Sequence, residues 1–526
     1  MADDRDTSPL LGDNRQPEYG TVEEAPPVTE PRTSFKRNLG TAEAFSIIIS
    51  IVIGSGIFTS PGSIDTNVPS PGFALIVWLV GGILAWTGAA TMAELGTAIQ
   101  GEGGVQPYLQ YIYGDVFGFL SAWTFIVAVI PASLAIMSIV FVESVFSAIG
   151  ENNRTQGALH KVLSILVLVL FSMANGISTK ASTRLNKFFV TAKFTAIVAT
   201  VVAGIGVVIY HLASHGAEKS SQDWWSRSWF GYRNSIGPDG DEIDWSKLQG
   251  WEILGHFSAA LYGSLWAYSG WDKAIYITAE LSAPARQLPL AINTAIPVII
   301  VGFIAVNTAY YILLPWDVVS TTDSVAVTAF NYLLGPGVGL VAAVLICFVV
   351  AGSLLSSAFV GSRMIVAASN KNWLPRFLGQ VGYIGIRSED SSPAQTDGAA
   401  PTESDSDSDA PLNALILSTL CSALYIIFGN FRALITFNGL GEYSFFFLTM
   451  VGAIILRFRE PKLVRPYKPI ILIPIVFTLV SGFVVARGAV FAPFQAVVLI
   501  AVWGLGLVFY YARRWWLARS SHSHLA

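Results

Sequence analysis

Charge is scarce in this sequence. Asp, Glu, Lys and Arg make up 13% of its 526 residues, about half the ~25% of an ordinary soluble domain. So few charges do not coat the surface of several soluble domains, which excludes a soluble enzyme, a nucleic-acid binder and a disordered scaffold. Cysteine is nearly absent as well. Cys347 and Cys421 stand alone inside apolar runs, so their spacing predicts no disulfide and no metal site. His160, His211, His215 and His256 form no ligand-spaced cluster, and no nucleophile motif is evident. Both absences argue against an enzyme, and no cofactor is expected. Alternation of period two is missing too, which excludes a membrane β-barrel.

Apolar residues fill the space that charge leaves, at 53% of the chain. Runs long enough to cross a bilayer, roughly 20 residues each, occur at 41–65, 72–98, 116–149, 160–177, 186–212, 252–281, 289–315, 337–368, 412–430, 433–457, 470–489 and 492–512. The prediction is an all-α polytopic membrane protein of about twelve transmembrane helices. A polytopic membrane protein is the class that remains once the soluble ones are excluded.

The acidic charge is segregated into polar stretches. Of 35 Asp and Glu residues, eight lie in 1–36, six in 213–248 and seven in 388–410. The net charge of −4 therefore belongs to tails and loops and offers no surface for nucleic acid. Lys and Arg set the orientation. With the N-terminus in the cytoplasm, 22 of the 31 basic residues fall on that side, as the positive-inside rule requires. Both termini are then cytoplasmic, and the polar first forty residues read as a tail, not a cleaved signal peptide.

Two of the runs are interrupted. The first contains Gly54, Ser55 and Gly56, and the sixth contains Ser269 and Gly270. Each interruption lies near mid-membrane, and the two spans open successive groups of five helices. Paired interruptions of this kind are the best sequence pointer to a transporter site. A helix broken in lipid frees backbone groups that need partners. The new N-terminus after Gly56 presents N–H groups and a positive dipole end, suited to a carboxylate. The new C-terminus near Trp266 presents carbonyls, suited to an ammonium. Together they fit the head of an α-amino acid. Close helix packing is the competing use of such glycines, and the pairing of the two sites favours the ligand.

An ordered set of motifs carries a resemblance. It runs through Ile53–Phe58 (Ile-Gly-Ser-Gly-Ile-Phe), Ser70–Gly72, Ala93–Thr97, Ala267–Trp271 (Ala-Tyr-Ser-Gly-Trp), Leu288–Ile292, Ser362–Arg363, Leu374–Pro375, Arg457–Pro461 and Arg465–Pro466. Over residues 38–515 the chain resembles the L-type amino acid transporters, the light chains of heteromeric transporters in the amino acid–polyamine–organocation superfamily. The resemblance implies a five-plus-five inverted repeat with broken helices 1 and 6, two further C-terminal helices, and alternating access. The layout that follows is a cytoplasmic disordered tail (1–38), a first repeat (39–212), an outer loop (213–250), a second repeat (251–457) holding a disordered acidic serine-rich loop (381–410), helices 11 and 12 (458–515) and a cytoplasmic end (516–526).

The resemblance also assigns roles. Gly54, Ser55 and Gly56 match the carboxylate-binding turn, and the carbonyls of Val52 and Ile53 help hold the ammonium. Ser269 and Gly270 form the second break. Trp266 stands at the aromatic gate, and simple packing among helices is its alternative. Asp272 matches an acidic residue of the branch that carries cationic as well as neutral amino acids. Lys273 departs from that branch, and whether the site takes a cationic side chain stays open. Glu442, roughly 15 Å into its span at 1.5 Å per residue, replaces a small or amide residue. A carboxylate at that depth is a functional candidate, with three readings: a proton carrier, a partner of Lys273, or the lining of a wet vestibule. Lys193 matches a lysine of sodium-independent relatives whose ammonium fills a sodium site; snorkelling is its alternative. Glu94 and Glu102 read as gate or loop-anchoring groups.

The expected activity is sodium-independent secondary transport of L-amino acids, large neutral or methionine-like, with cationic ones open, by proton symport or exchange. A sensor with little transport is the alternative. The loop Ile149–Thr155 lacks the cysteine through which light chains join a heavy chain, so no disulfide-linked heavy chain is expected. The tail carries an acidic dileucine pattern ending at Leu10 and Leu11 and a tyrosine pattern at Tyr19. Both resemble sorting-adaptor signals, which leaves the plasma membrane and the vacuolar or lysosomal membrane open as locations.

Overall fold

The computed structural model describes residues 39–99, 101–148, 157–177, 179–214, 223–236, 242–322, 325–381, 410–429 and 431–523. The tail with Leu10, Leu11 and Tyr19, the loop Ile149–Thr155 and the acidic serine tract lie outside them.

The chain folds as an all-α polytopic membrane protein. Helix α1 (Thr41–Val52) bends by 45° into α2 (Gly56–Thr66). Then come α3 (Pro71–Ala98) and α4 (Val105–Tyr113). Helix α5 (Asp115–Thr124) runs through a π-helical turn at Phe125–Val129 into α6 (Ile130–Ala148). The first half closes with α7 (Ala158–Ile177) and α8 (Thr179–Ser214). A short α9 (Asp223–Ser226) and an antiparallel pair of two-residue strands, β1 (Ser235–Ile236) and β2 (Glu242–Ile243), form the intervening loop. The rest is α10 (Gly250–Ala267), α11 (Pro284–Leu313), α12 (Trp316–Thr321), α13 (Val325–Leu334), α14 (Pro336–Asn370), α15 (Leu412–Phe428), α16 (Phe431–Arg459), α17 (Leu472–Phe491) and α18 (Pro493–Ser523).

Among the described residues nine helices are long and apolar enough to span a membrane, or ten with α1 and α2 taken as one bent span. The two remaining apolar runs of the sequence correspond to α10 and to the 17-residue α15. The run 252–281 is not one helix: α10 stops at Ala267, and the chain resumes as a 3₁₀ stretch, Lys273–Glu280. Local chemistry places the ends. Pro71, Pro284 and Pro336 start their helices, where a missing N–H costs nothing. The Glu43 carboxylate reaches back to accept the Gly40 N–H at 3.0 Å, as a capping residue does.

Exposed apolar stripes identify the solvent. Leu159, Val162, Leu166, Leu170 and Met173 recur at helical spacing along α7 and are about three-fifths exposed. Water does not tolerate apolar faces of this extent on a folded chain, whereas lipid does. Inside, α3 packs along α11, and α14 packs against α1, α6 and α8. Trp78 sits edge-on to both Tyr268 and Phe303, with ring centroids 6.1 and 5.6 Å away. The interrupted segments thus lie inside the bundle, walled by α6, α14 and α16.

Candidate functional site

The first interruption is a backbone event. Gly54 N–H turns back to the Val52 carbonyl at 2.8 Å, and α2 begins beyond Ser55. The first returns to the Ser55 carbonyl come from Phe58 and Thr59 at 2.9 and 3.0 Å. The N–H groups ahead of them head the new helix, where no intrahelical acceptor exists. Glycine is required at this point by proximity. A Cβ on Gly56 would lie 2.6 Å from the Ala267 Cα, so the start of α2 abuts the end of α10.

The second interruption ends α10 at Ala267, leaving a turn in which Ser269 N–H reaches the Trp266 carbonyl at 3.0 Å. Gly270 adopts φ +99°, and a Cβ there would lie 2.4 Å from the Ile51 Cγ2. Both breaks open on one cavity. Ile51, Val52, Gly54, Ser55 and Gly56 form one side, and Trp266, Ala267, Ser269, Gly270, Lys273 and Tyr276 face them. Val129, Ile130, Ser133 and Met137 of the π-turn and α6, Ser357, Val360 and Gly361 of α14, and Asn438 and Glu442 of α16 complete the wall.

Charge is concentrated at one place in that wall. The Lys273 ammonium donates to Asp272 Oδ2 at 2.9 Å and to Glu442 Oε1 at 2.8 Å. Ser269 Oγ donates to the other Glu442 oxygen at 3.3 Å. Rings of Tyr276 and Phe125 flank the ammonium, with centroids 5.4 and 5.7 Å away. A buried carboxylate needs such partners to remain charged.

Lys193 of α8 is fully buried. Its ammonium donates to the carbonyls of Ser50 and Ile53, the latter at 2.5 Å, and to Ser353 Oγ at 2.7 Å. Ser353 Oγ also donates to the Ser50 carbonyl at 2.9 Å. Three oxygens thus converge on one cationic centre directly beneath the first break. Snorkelling does not describe a lysine whose head is enclosed this way.

Ion pairs brace both ends of the bundle. Glu94 of α3 takes a two-pronged bond from Arg457, and Arg465 stands 3.3 Å from its Oε1. Arg363 of α14 donates to Glu280 at 2.9 Å, and the Glu280 carbonyl accepts the Leu39 N–H at 2.9 Å. At the opposite end Arg233 of the intervening loop meets Asp65 of α2 at 2.5 Å, and Tyr311 donates to the same carboxylate at 2.6 Å. Trp229 packs edge-on to Trp316, and Trp245 is buried beside Phe257. These described parts of the loop therefore cover helix ends.

The structure brings Val52, Gly54, Ser55, Gly56, Trp266, Ser269, Gly270, Lys273 and Glu442 to one cavity. Two expected members stand behind it. The Ile53 carbonyl takes the Lys193 bond, and neither Ile53 nor Asp272 lines the cavity; Asp272 stands behind it, bonded to Lys273. Sequence reasoning missed Asn438, Tyr276, Ser353 and the Asp65–Arg233 pair. Asn438 had a signal, since it lies four residues before Glu442 and so on the same helix face. Ser353 had none, because its partner is 160 residues away.

A membrane helical bundle with an internal cavity walled by two interrupted helices is the class that this fold and site define. The chain belongs to the amino acid permease family, whose profile matches residues 39–511. Its relatives include the human b(0,+)-type amino acid transporter 1, 29% identical over 92% of this chain and 89% of the relative. The mouse Asc-type amino acid transporter 1 is 27% identical over 94% and 84%, and the mouse large neutral amino acids transporter small subunit 2 is 26% identical over 92% and 82%. These relatives are transporters, not enzymes, and the motif resemblance to the L-type group stands.

Proposed function

We propose that this chain moves L-amino acids across a membrane by alternating access, without sodium, and that large neutral or methionine-like amino acids are its substrates. The observation that carries the reading is the meeting of two helix interruptions on one cavity. Helix-start N–H groups at Gly54–Gly56 serve the substrate carboxylate, and carbonyls at the end of α10 serve its ammonium. The apolar wall of Ile51, Val129, Ile130, Met137 and Val360 suits an aliphatic or thioether side chain. Trp266 closes over it as the gate. Lys193 fills the oxygen-lined position where a sodium ion would otherwise be needed to balance the break.

Glu442 serves exchange better than proton symport. The Lys273 ammonium, 2.8 Å from Glu442 Oε1, already engages the carboxylate that a proton carrier would have to offer. The inverted repeat, cytoplasmic termini and a plasma or vacuolar-type membrane complete the proposal. So does function without a disulfide-linked heavy chain, since both described cysteines lie within α14 and α15.

Radiolabelled leucine uptake into proteoliposomes holding the purified chain alone tests the reading. Uptake is expected only into vesicles preloaded with unlabelled leucine, and a pH gradient adds nothing. Gradient-driven uptake into empty vesicles would return Glu442 to the role of proton carrier. Saturable leucine binding with no uptake under either condition would make the chain a sensor.

A further inference from the structure

The cavity contains a complete cation site, and the chain fills it with its own side chain. Lys273 and Glu442 are the charged residues on the cavity wall. Behind them Asp272 is fully buried, and the Glu442 side chain is only 5% exposed. Two carboxylate oxygens stand 2.8 and 2.9 Å from the Lys273 nitrogen, with aromatic rings on its flanks. Carboxylates and aromatic faces are what a guanidinium or an alkylammonium seeks. One turn before Glu442, Asn438 is 2% exposed, and its Oδ1 finds no partner among the described residues.

We propose that Lys273 is the residue that sets side-chain charge specificity: it is a tethered cation that occupies the subsite a cationic amino acid would use. The inference rests on the transport reading above and says which substrates that site refuses. A ligand bearing a side-chain ammonium or guanidinium has to displace Lys273 from both carboxylates, and among the described residues no other acidic group lines the cavity to receive the displaced ammonium. A ligand with a neutral side chain leaves the cluster intact. Asn438 Oδ1 stays available to a polar neutral group with a hydrogen to donate, such as an amide or hydroxyl. Removing Lys273 converts the cluster into an open acidic subsite.

The experiment compares wild type, K273R, K273Q and D272N/K273Q in leucine-preloaded proteoliposomes. Arginine and unlabelled leucine compete with radiolabelled leucine, and the readout is the ratio of their half-inhibitory concentrations within each variant. Wild type and K273R should disfavour arginine alike. In K273Q the ratio should shift toward arginine by about tenfold, the worth of one charge-assisted hydrogen bond. D272N/K273Q retains the wild-type local charge of one carboxylate in excess, so the same shift there ties the effect to the vacated subsite. An unchanged ratio in K273Q, or a shift in K273Q that is absent from the double variant, overturns the inference and leaves the transport reading standing. Wild type inhibited equally by arginine and leucine overturns it too. Wild type with neither leucine uptake nor leucine binding brings down the transport reading and the inference with it. Should the variants not assemble, thermal stabilisation of the wild type decides: leucine raises the melting temperature and arginine does not, and stabilisation by arginine overturns the proposal.

Discussion

Single residues hold the two breaks in place, and their substitutions have contrasting outcomes. Lys193→Ala leaves the Ser50 and Ile53 carbonyls and Ser353 Oγ without their buried cation. Each lost charge-assisted bond is worth about 1.5–3 kcal/mol, so uptake should fall at least about tenfold. Replacing sodium by choline should leave the wild type unchanged, and a wild-type requirement for sodium would refute the role given to Lys193. Gly270→Ala fails differently. At φ +99°, with Ile51 Cγ2 at 2.4 Å from the added carbon, both conformation and space oppose the methyl. Backbone strain alone costs about 1–3 kcal/mol. The expected result is a lower melting temperature in detergent together with lost transport. These residues differ in how plainly the sequence displays them. Glycines in a membrane-length apolar run are conspicuous, because a bilayer core offers freed backbone groups no partner. A lysine in the fifth run is conspicuous for the same reason, yet its acceptors on α1 and α14 are brought to it only by the fold.

At the scale of elements, the sequence displays length and polarity well and curvature poorly. Apolar runs announce helices because a bilayer fixes their span, and the helices follow those runs closely. The run 252–281 conceals a stop at Ala267, since apolar residues continue through the turn and the 3₁₀ stretch that follows. The π-helical turn at Phe125–Val129 is equally silent: five apolar residues carry no mark of their i→i+5 hydrogen bonding. Such turns recur where function needs a local widening, and here Val129 lines the cavity. The loop between the halves is held by Arg233 on Asp65, whose side chain is fully buried. Removing one partner of a buried pair costs about 3–5 kcal/mol. Arg233→Ala should therefore lower the melting temperature clearly and speed proteolysis of the loop. D65N/R233A should recover much of that loss, and equal loss in both variants would show that the pair is not what holds the loop.

Over the whole molecule, the charged residues inside the bundle form a small set of interior contacts. Glu94, Arg457 and Arg465 brace one end, Asp65 and Arg233 the other, and the lysine cluster lies between. The described cysteines are free and sit within membrane-length or apolar helices. The variant C347S/C421S should accordingly transport leucine within about twofold of wild type, because neither swap opens a large cavity. It should also keep the wild-type mobility on a non-reducing gel. A reducible higher-mass band from native membranes that vanishes in this variant would mean a covalent partner after all.

The contact between Gly56 and Ala267 has a consequence for stereochemical selection. Main chain touches main chain there, so the spacing between the N–H groups of one break and the carbonyls of the other is a fixed gauge that no rotamer adjusts. An α-amino acid places its two charged groups on one carbon and fits a single setting. A β-amino acid inserts a methylene between them and should compete poorly with leucine, however well its side chain matches the cavity wall.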